Sequence, residues 1–141
     1  MKNTDAERDN LNWMLLQVAF RAKHRMMRLA EKYDITVVQL HSLGVLNPGE
    51  QIPMNALCGT LLCDPSNVTG IVDRLLSLGY IQREENPKDR RVKMIALTPE
   101  GEKLRAALLK EMAEYESPSL QRLTSEQKSQ LKTILGILLA R

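Results

Sequence analysis

Apolar positions recur along this chain mainly with helical spacing, and they predict a mainly α protein with one small β-hairpin. From residue 8 to 32, Trp13, Met14, Leu15, Leu16, Val18, Phe20, Met26, Met27 and Leu29 occupy almost every side of a helix, interrupted by Arg21, Lys23, Arg25 and Arg28. So broad an apolar face predicts packing against more than its own domain. Thr36-Val37-Val38-Gln39 fits a capping box, so a second helix is expected over 36–46, stopped by Asn47-Pro48-Gly49. Gln51 and Ile52 predict a short strand, and residues 53–62 a short helix exposing Asn55, Gly59 and Thr60.

The pattern is sharpest between residues 64 and 98. Asp64-Pro65 suits a helix start, with an acidic cap and proline at the first helical position. Over 65–78, Val68, Ile71, Val72, Leu75 and Leu76 fall on one face and predict core, and Gly79 ends the helix. Strand-like runs at 80–84 and 92–97 flank a seven-residue connection, 85–91, which lacks an Asn-Gly or Asp-Gly tight turn and is expected to project as a loop. Thr98-Pro99 predicts a further helix over 99–117, kinked or ended by Ser117-Pro118. A second capping box, Thr124-Ser125-Glu126-Gln127, opens a last helix with Leu131, Ile134, Leu135, Leu138 and Leu139 on its apolar side.

Composition narrows the class without deciding it. The 141 residues, 43% hydrophobic and 26% charged, fit one domain of ordinary size. No apolar run approaches the ~20 residues that span a bilayer, and Met1-Lys2-Asn3-Thr4-Asp5 does not open a signal peptide, so a cytoplasmic protein without membrane contact is expected. A net charge of +3 is too small to imply nucleic-acid binding, and the clustering of charge matters more than its sum. Cys58 and Cys63 form no CxxC and have no histidine beside them, so neither metal nor cofactor is expected. With no nucleophile paired to a base, no phosphate-cradling glycine loop and no carboxylate pair in a motif, the chain does not read as an enzyme.

The solvent face of the helix over 65–78 carries Ser66, Asn67, Thr69, Gly70, Asp73, Arg74 and Ser77. Side chains this short hydrogen-bond base edges without holding a helix out of the major groove. Gly70 costs about 0.5–1 kcal/mol against alanine inside a helix, which close approach to a sugar-phosphate backbone would explain. Taken alone, the same face also fits a merely solvated helix. The hairpin adds Lys88, Arg90 and Arg91, with Arg83 and Lys93 on the adjoining strands. Asp89, two residues before Arg91, is placed to hold its guanidinium, and an arginine fixed at a thin tip suits the narrow minor groove. Helix and hairpin together favour double-stranded DNA over a solvated basic turn.

Particular residues make the pattern specific. Asp73-Arg74-Leu75, Gly79-Tyr80-Ile81, Asn86-Pro87-Lys88-Asp89-Arg90-Arg91 and Ala96-Leu97-Thr98-Pro99-Glu100-Gly101 resemble the winged helix-turn-helix of the MarR family of transcriptional regulators, and helix order resembles that family from about residue 8 to 140. The resemblance implies a homodimer, with 8–35 and 99–141 as dimerisation helices and 36–98 as the DNA-binding lobe. It implies that Ser66, Asn67, Thr69, Gly70 and Arg74 face the major groove and its phosphates, while Arg91, held by Asp89 and flanked by Lys88 and Arg90, enters the minor groove. The expected function is a repressor on a pseudo-palindromic operator, answering a small-molecule inducer. Leu62 stands where the family usually turns on glycine, and Pro53 replaces the usual polar helix start.

Two other readings stay open. Cys58 or Cys63 would serve as a thiol sensor on the same fold, although both positions also suit a small buried residue. A winged-helix dimer that binds a protein in place of DNA is the second. Met14, Met26, Met27 and Met112 suit either a dimer layer or an adaptable pocket, and His24 and His41 read as ordinary helix residues.

Overall fold

The computed structural model describes residues 10–61 and 65–140. Its helices are α1 (Leu11–Lys32), α2 (Val37–Val45), α3 (Ala56–Leu61), α4 (Pro65–Ser77), α5 (Pro99–Glu114), α6 (Pro118–Gln121) and α7 (Ser125–Leu139). The strands β1 (Ile52–Pro53), β2 (Ile81–Asn86) and β3 (Asp89–Leu97) form one antiparallel sheet in the order β1-β3-β2. The chain divides into two compact units, Met1–Leu108 and Leu109–Arg141.

Local chemistry sets most of these ends. The Asn10 side chain accepts the Asn12 and Trp13 amides at the start of α1. Both expected capping boxes close, Thr36 with Gln39 on α2 and Thr124 with Gln127 on α7. The Pro48-Gly49 turn, with Gly49 at φ +73°, follows the end of α2. Ser117 caps α6 with Pro118 in its first turn, and α5 has already stopped at Glu114. α4 ends in a Schellman motif: Tyr80 N–H donates to the Leu75 carbonyl and Gly79 N–H to that of Leu76, with Gly79 at φ +74°.

The first unit has one apolar core. Leu40, Leu43 and Leu46 from α2 and its end, Leu57 from α3, Val68, Val72 and Leu75 from α4, and Ile81, Ile95 and Leu97 from the sheet are all buried, as are Leu104 and Leu108 of α5. Ile71 and Leu76 pack at its margin, so the apolar face expected for α4 is the core face. The start of α5 is pinned to the sheet. Thr98 N–H donates to the Tyr80 carbonyl, the Thr98 hydroxyl donates to the Gly79 carbonyl at 2.6 Å, and the same hydroxyl accepts the Gly101 amide. Any Cβ on Gly101 would overlap the Tyr80 carbonyl oxygen, which explains glycine there. Arg105 donates to the Gly44 carbonyl at 3.3 Å, near the partially negative end of α2.

Two local expectations need correction. Pro53 does not begin a helix; it lies in β1, opposite Met94, and α3 starts only at Ala56. Proline is tolerated there because β1 is an edge strand, and the pairing continues past it from Met54 N–H to the Lys93 carbonyl. The projecting seven-residue loop is also absent. β2 and β3 run on to a two-residue turn, Pro87-Lys88. The Asn86 side chain accepts the Lys88 amide at 2.9 Å, an Asx turn that closes the tip without an Asn-Gly pair. Glu85 pairs with Lys93 but Asn86 with Asp89, so Arg90, Arg91 and Val92 fall outside the paired register and bulge. Leu62, Cys63 and Asp64 lie outside the described residues, and with them the position where the family usually turns on glycine and the expected cap at Asp64.

Outside the core, large apolar side chains are uncovered. On α1, Trp13, Met14, Leu15, Leu16, Val18 and Phe20 are exposed. In the second unit, α7 exposes Ile134, Leu135, Ile137, Leu138 and Leu139. No described helix is long and apolar enough to cross a membrane.

Candidate nucleic-acid interface

The core face of α4 dictates its outer face. With Val68, Val72 and Leu75 turned inward, Ser66, Asn67, Thr69, Gly70, Asp73, Arg74 and Ser77 are all left exposed. Among the described residues a Cβ at Gly70 would meet nothing within 4 Å, so none of their contacts requires a glycine here. The last turn of α4 is tied on both flanks. Arg74 donates from Nη2 to Asp34 Oδ2 at 3.3 Å, reaching the corner between α1 and α2. Asp73 accepts from Arg83 Nη1 at 3.3 Å, reaching β2. Helix and wing are therefore linked by an ion pair as well as by the Gly79 turn.

At the wing tip, Asp89 makes a fork-to-fork contact with Arg91: Oδ1 accepts Nε at 3.0 Å and Oδ2 accepts Nη2 at 3.1 Å. Oδ1 also accepts the Arg91 backbone amide at 3.1 Å, which fixes the local turn. The Arg91 side chain remains 90% exposed, so its second edge is open to solvent. The Arg91 guanidinium and amide hold the Asp89 carboxyl below the usual carboxylate range, and Asp89 in turn raises Arg91. Lys88 and Arg90 are exposed beside it. Lys93 is drawn back onto the hairpin by Glu85 at 2.8 Å.

Of the residues singled out from sequence, Lys88, Asp89, Arg90 and Arg91 thus share the wing, and Ser66, Asn67, Thr69, Gly70 and Arg74 share the outer face of α4. Sequence reasoning missed Asp34, Asp73 and Arg83 as partners. Asp73 and Arg83 stand ten positions apart across a glycine turn, where no helical spacing rule applies. Cys58 is a free, half-buried thiol packed against the core, as a small apolar residue would be. Cys63 lies outside the described residues. Among the described residues no cluster of three or more His, Cys, Asp or Glu is placed to hold a metal ion.

A small helical core, a helix with an exposed polar face and a following β-hairpin joined to it define a winged helix-turn-helix. The model of the MarR family matches residues 35–93, the same stretch that carries these elements. YhbI, an uncharacterized HTH-type transcriptional regulator of Bacillus subtilis (strain 168), is 29% identical over 140 residues, covering 96% of this chain and 91% of its own. MdtR of the same organism, an HTH-type transcriptional repressor, is 31% identical over 102 residues, 72% of this chain and 66% of its own. A mutant of MepR from S. aureus, solved bound to an oligodeoxyribonucleotide, superposes with a TM-score of 0.63 at 26% identity, over 92% of this chain and 96% of that one. The chain belongs to the MarR family of transcriptional regulators.

Proposed function

We propose that this protein is a homodimeric, sequence-specific DNA-binding repressor that occupies a pseudo-palindromic operator and is released by a small molecule. The observation that carries the reading is the pairing of two surfaces in one unit: the short-chained outer face of α4 and an arginine locked by Asp89 at the wing tip, joined through Asp73 and Arg83. Ser66, Asn67, Thr69 and Gly70 meet base edges and phosphates of the major groove. Arg91, with Lys88 and Arg90 on the flanking backbone, enters the minor groove. Asp89 spares Arg91 part of the ordering cost of insertion, because its guanidinium is already oriented.

The dimer is supported by the uncovered apolar side chains of α1 and α7, which a single chain leaves in water. A two-fold dimer would set its two α4 helices about one turn of DNA apart, roughly 34 Å. An inducer acts by changing that spacing, since a shift of a few ångströms breaks one half-site without unfolding either lobe. Repression is the sense of regulation that the similarity to MdtR supports.

Selection of bound duplexes from a random pool, followed by titration across salt, tests this reading. Enrichment of an inverted repeat is expected, with an affinity that falls steeply as salt rises. Recovery of no enriched duplex, or binding indifferent to salt, overturns it.

A further inference from the structure

We propose that Gly70 is a specificity-determining residue, whose missing side chain leaves room for the C5-methyl of a thymine on the floor of the major groove. The inference deepens the reading of α4 as the helix that meets DNA, and rests on it. Gly70 lies inside α4, with more than a turn of helix on either side. Glycine there weakens the helix, because it loses more backbone freedom on folding than any other residue. Gly49 and Gly79 have a positive φ that accounts for them, and Gly70 does not. Gly101 is accounted for by the Tyr80 carbonyl, which a Cβ would overlap. At Gly70, no described atom stands within 4 Å of the place a Cβ would take. Neither backbone conformation nor packing among the described residues calls for glycine, which leaves the partner.

The direction in which Gly70 faces selects the part of the partner it meets. At about 100° of rotation per residue, the buried Val68, Val72 and Leu75 centre on one side of α4, and Gly70 falls nearly opposite. It shares this outer crest with Ser66, Asp73 and Ser77, while Asn67 and Arg74 lie on one flank and Thr69 on the other. A helix seated in the groove with its core side outward turns its flanks to the sugar-phosphate walls and its crest to the base pairs. The apolar feature that stands out from that floor is the thymine C5-methyl. On the crest, glycine leaves a notch one methyl deep, and a thymine methyl fills it. An alanine methyl would claim the same space and hold α4 out, so that Asn67 and Thr69 lose their reach to neighbouring base edges. Cytosine has no methyl and leaves the notch empty. Gly70 thus selects thymine by shape, where its neighbours hydrogen-bond.

The full chain carrying Gly70→Ala tests this on the pool-selected duplex. Each thymine of the half-site, with its symmetry mate, is replaced in turn by deoxyuridine, which removes the methyl and keeps the base pair. At one position the affinities should compensate. Wild type should bind the deoxyuridine duplex about fourfold more weakly for each half-site, the effect of one unburied methyl group. Gly70→Ala should lose about tenfold for each half-site on thymine, as a mismatched base pair does. On deoxyuridine, Gly70→Ala should return to within about twofold of wild type on thymine, since one methyl again fills the notch. In denaturant titrations Gly70→Ala should unfold at a higher midpoint than wild type, because alanine favours the helix. A midpoint that does not rise means that the fold itself uses the glycine, and overturns the proposal. So does a half-site without thymine, an unchanged affinity of Gly70→Ala, or a loss that no deoxyuridine repairs. A wild-type chain that selects no duplex fails the functional reading itself. One that selects a duplex without this compensation fails only the inference.

Discussion

α1 and α4 are two amphipathic helices that both close in a Schellman motif, Asp34 and Ile35 N–H donating to the Glu31 and Ala30 carbonyls on α1, yet only α4 leaves no large apolar side chain exposed. α4 buries Val68, Val72 and Leu75 and leaves outside only polar or small residues. α1 buries Leu29 and Ala30 near its end, while Trp13, Met14, Leu15, Leu16, Val18 and Phe20 stay exposed along its first half. The contrast separates two tasks. The lobe around α4 has a core within one chain, so its outer face is free to be polar and to meet a ligand. The first half of α1 has no such core, and apolar side chains left in water favour association.

The comparison breaks most readily in the core. Leu75→Ala, at a fully buried site, should lower unfolding stability by about 2–5 kcal/mol in denaturant titrations. Val18→Asp, at a 63% exposed site, should leave the lobe folded but weaken self-association by roughly 2 kcal/mol or more, read by sedimentation. If Val18→Asp instead unfolds the lobe and leaves the oligomer intact, the division between the two helices is wrong.

Smaller effects sharpen the account at the wing. Asn86→Ala removes the acceptor that closes the Pro87-Lys88 turn, at a cost of about 1 kcal/mol in the hairpin. DNA affinity should fall and the oligomer should not change. Asn86→Asp keeps the acceptor and should restore most of the loss. The smallest expected effect is of pH. Asp89 is held below its ordinary value by Arg91, so the paired state is complete above about pH 4 and is lost only as pH falls through the lowered value. The ratio of wild-type to Asp89→Asn affinity should therefore stay flat from about pH 8 to about pH 5, and a drop within that window would assign the wing arginine a different partner.

How far these features can be read from sequence follows from how local their causes are. Thr36 with Gln39 and Thr124 with Gln127 act within one turn, and Gly79 needs only its own backbone, so those helix ends were legible. The spacing of Val68, Val72 and Leu75 likewise marked the buried face, and through it the exposed residues of α4. The hairpin tip is not legible in this way, because an Asn86 side chain does the work expected of Asn-Gly and tightens a connection whose length suggests an open loop. Pro53 was misread because edge position depends on strand order, which no local pattern carries. Asp34 carries no local signal of its role, because its partner lies 40 residues on, in a helix whose placement depends on the whole core.

The central claim is that an arginine preset by Asp89 at the wing tip carries operator recognition together with α4. Fluorescence anisotropy of Arg91→Ala on the pool-selected duplex at physiological salt tests it most directly. A loss of roughly 10- to 100-fold, with the dimer unchanged by sedimentation, is the predicted result. Unchanged affinity in a folded dimer would contradict it.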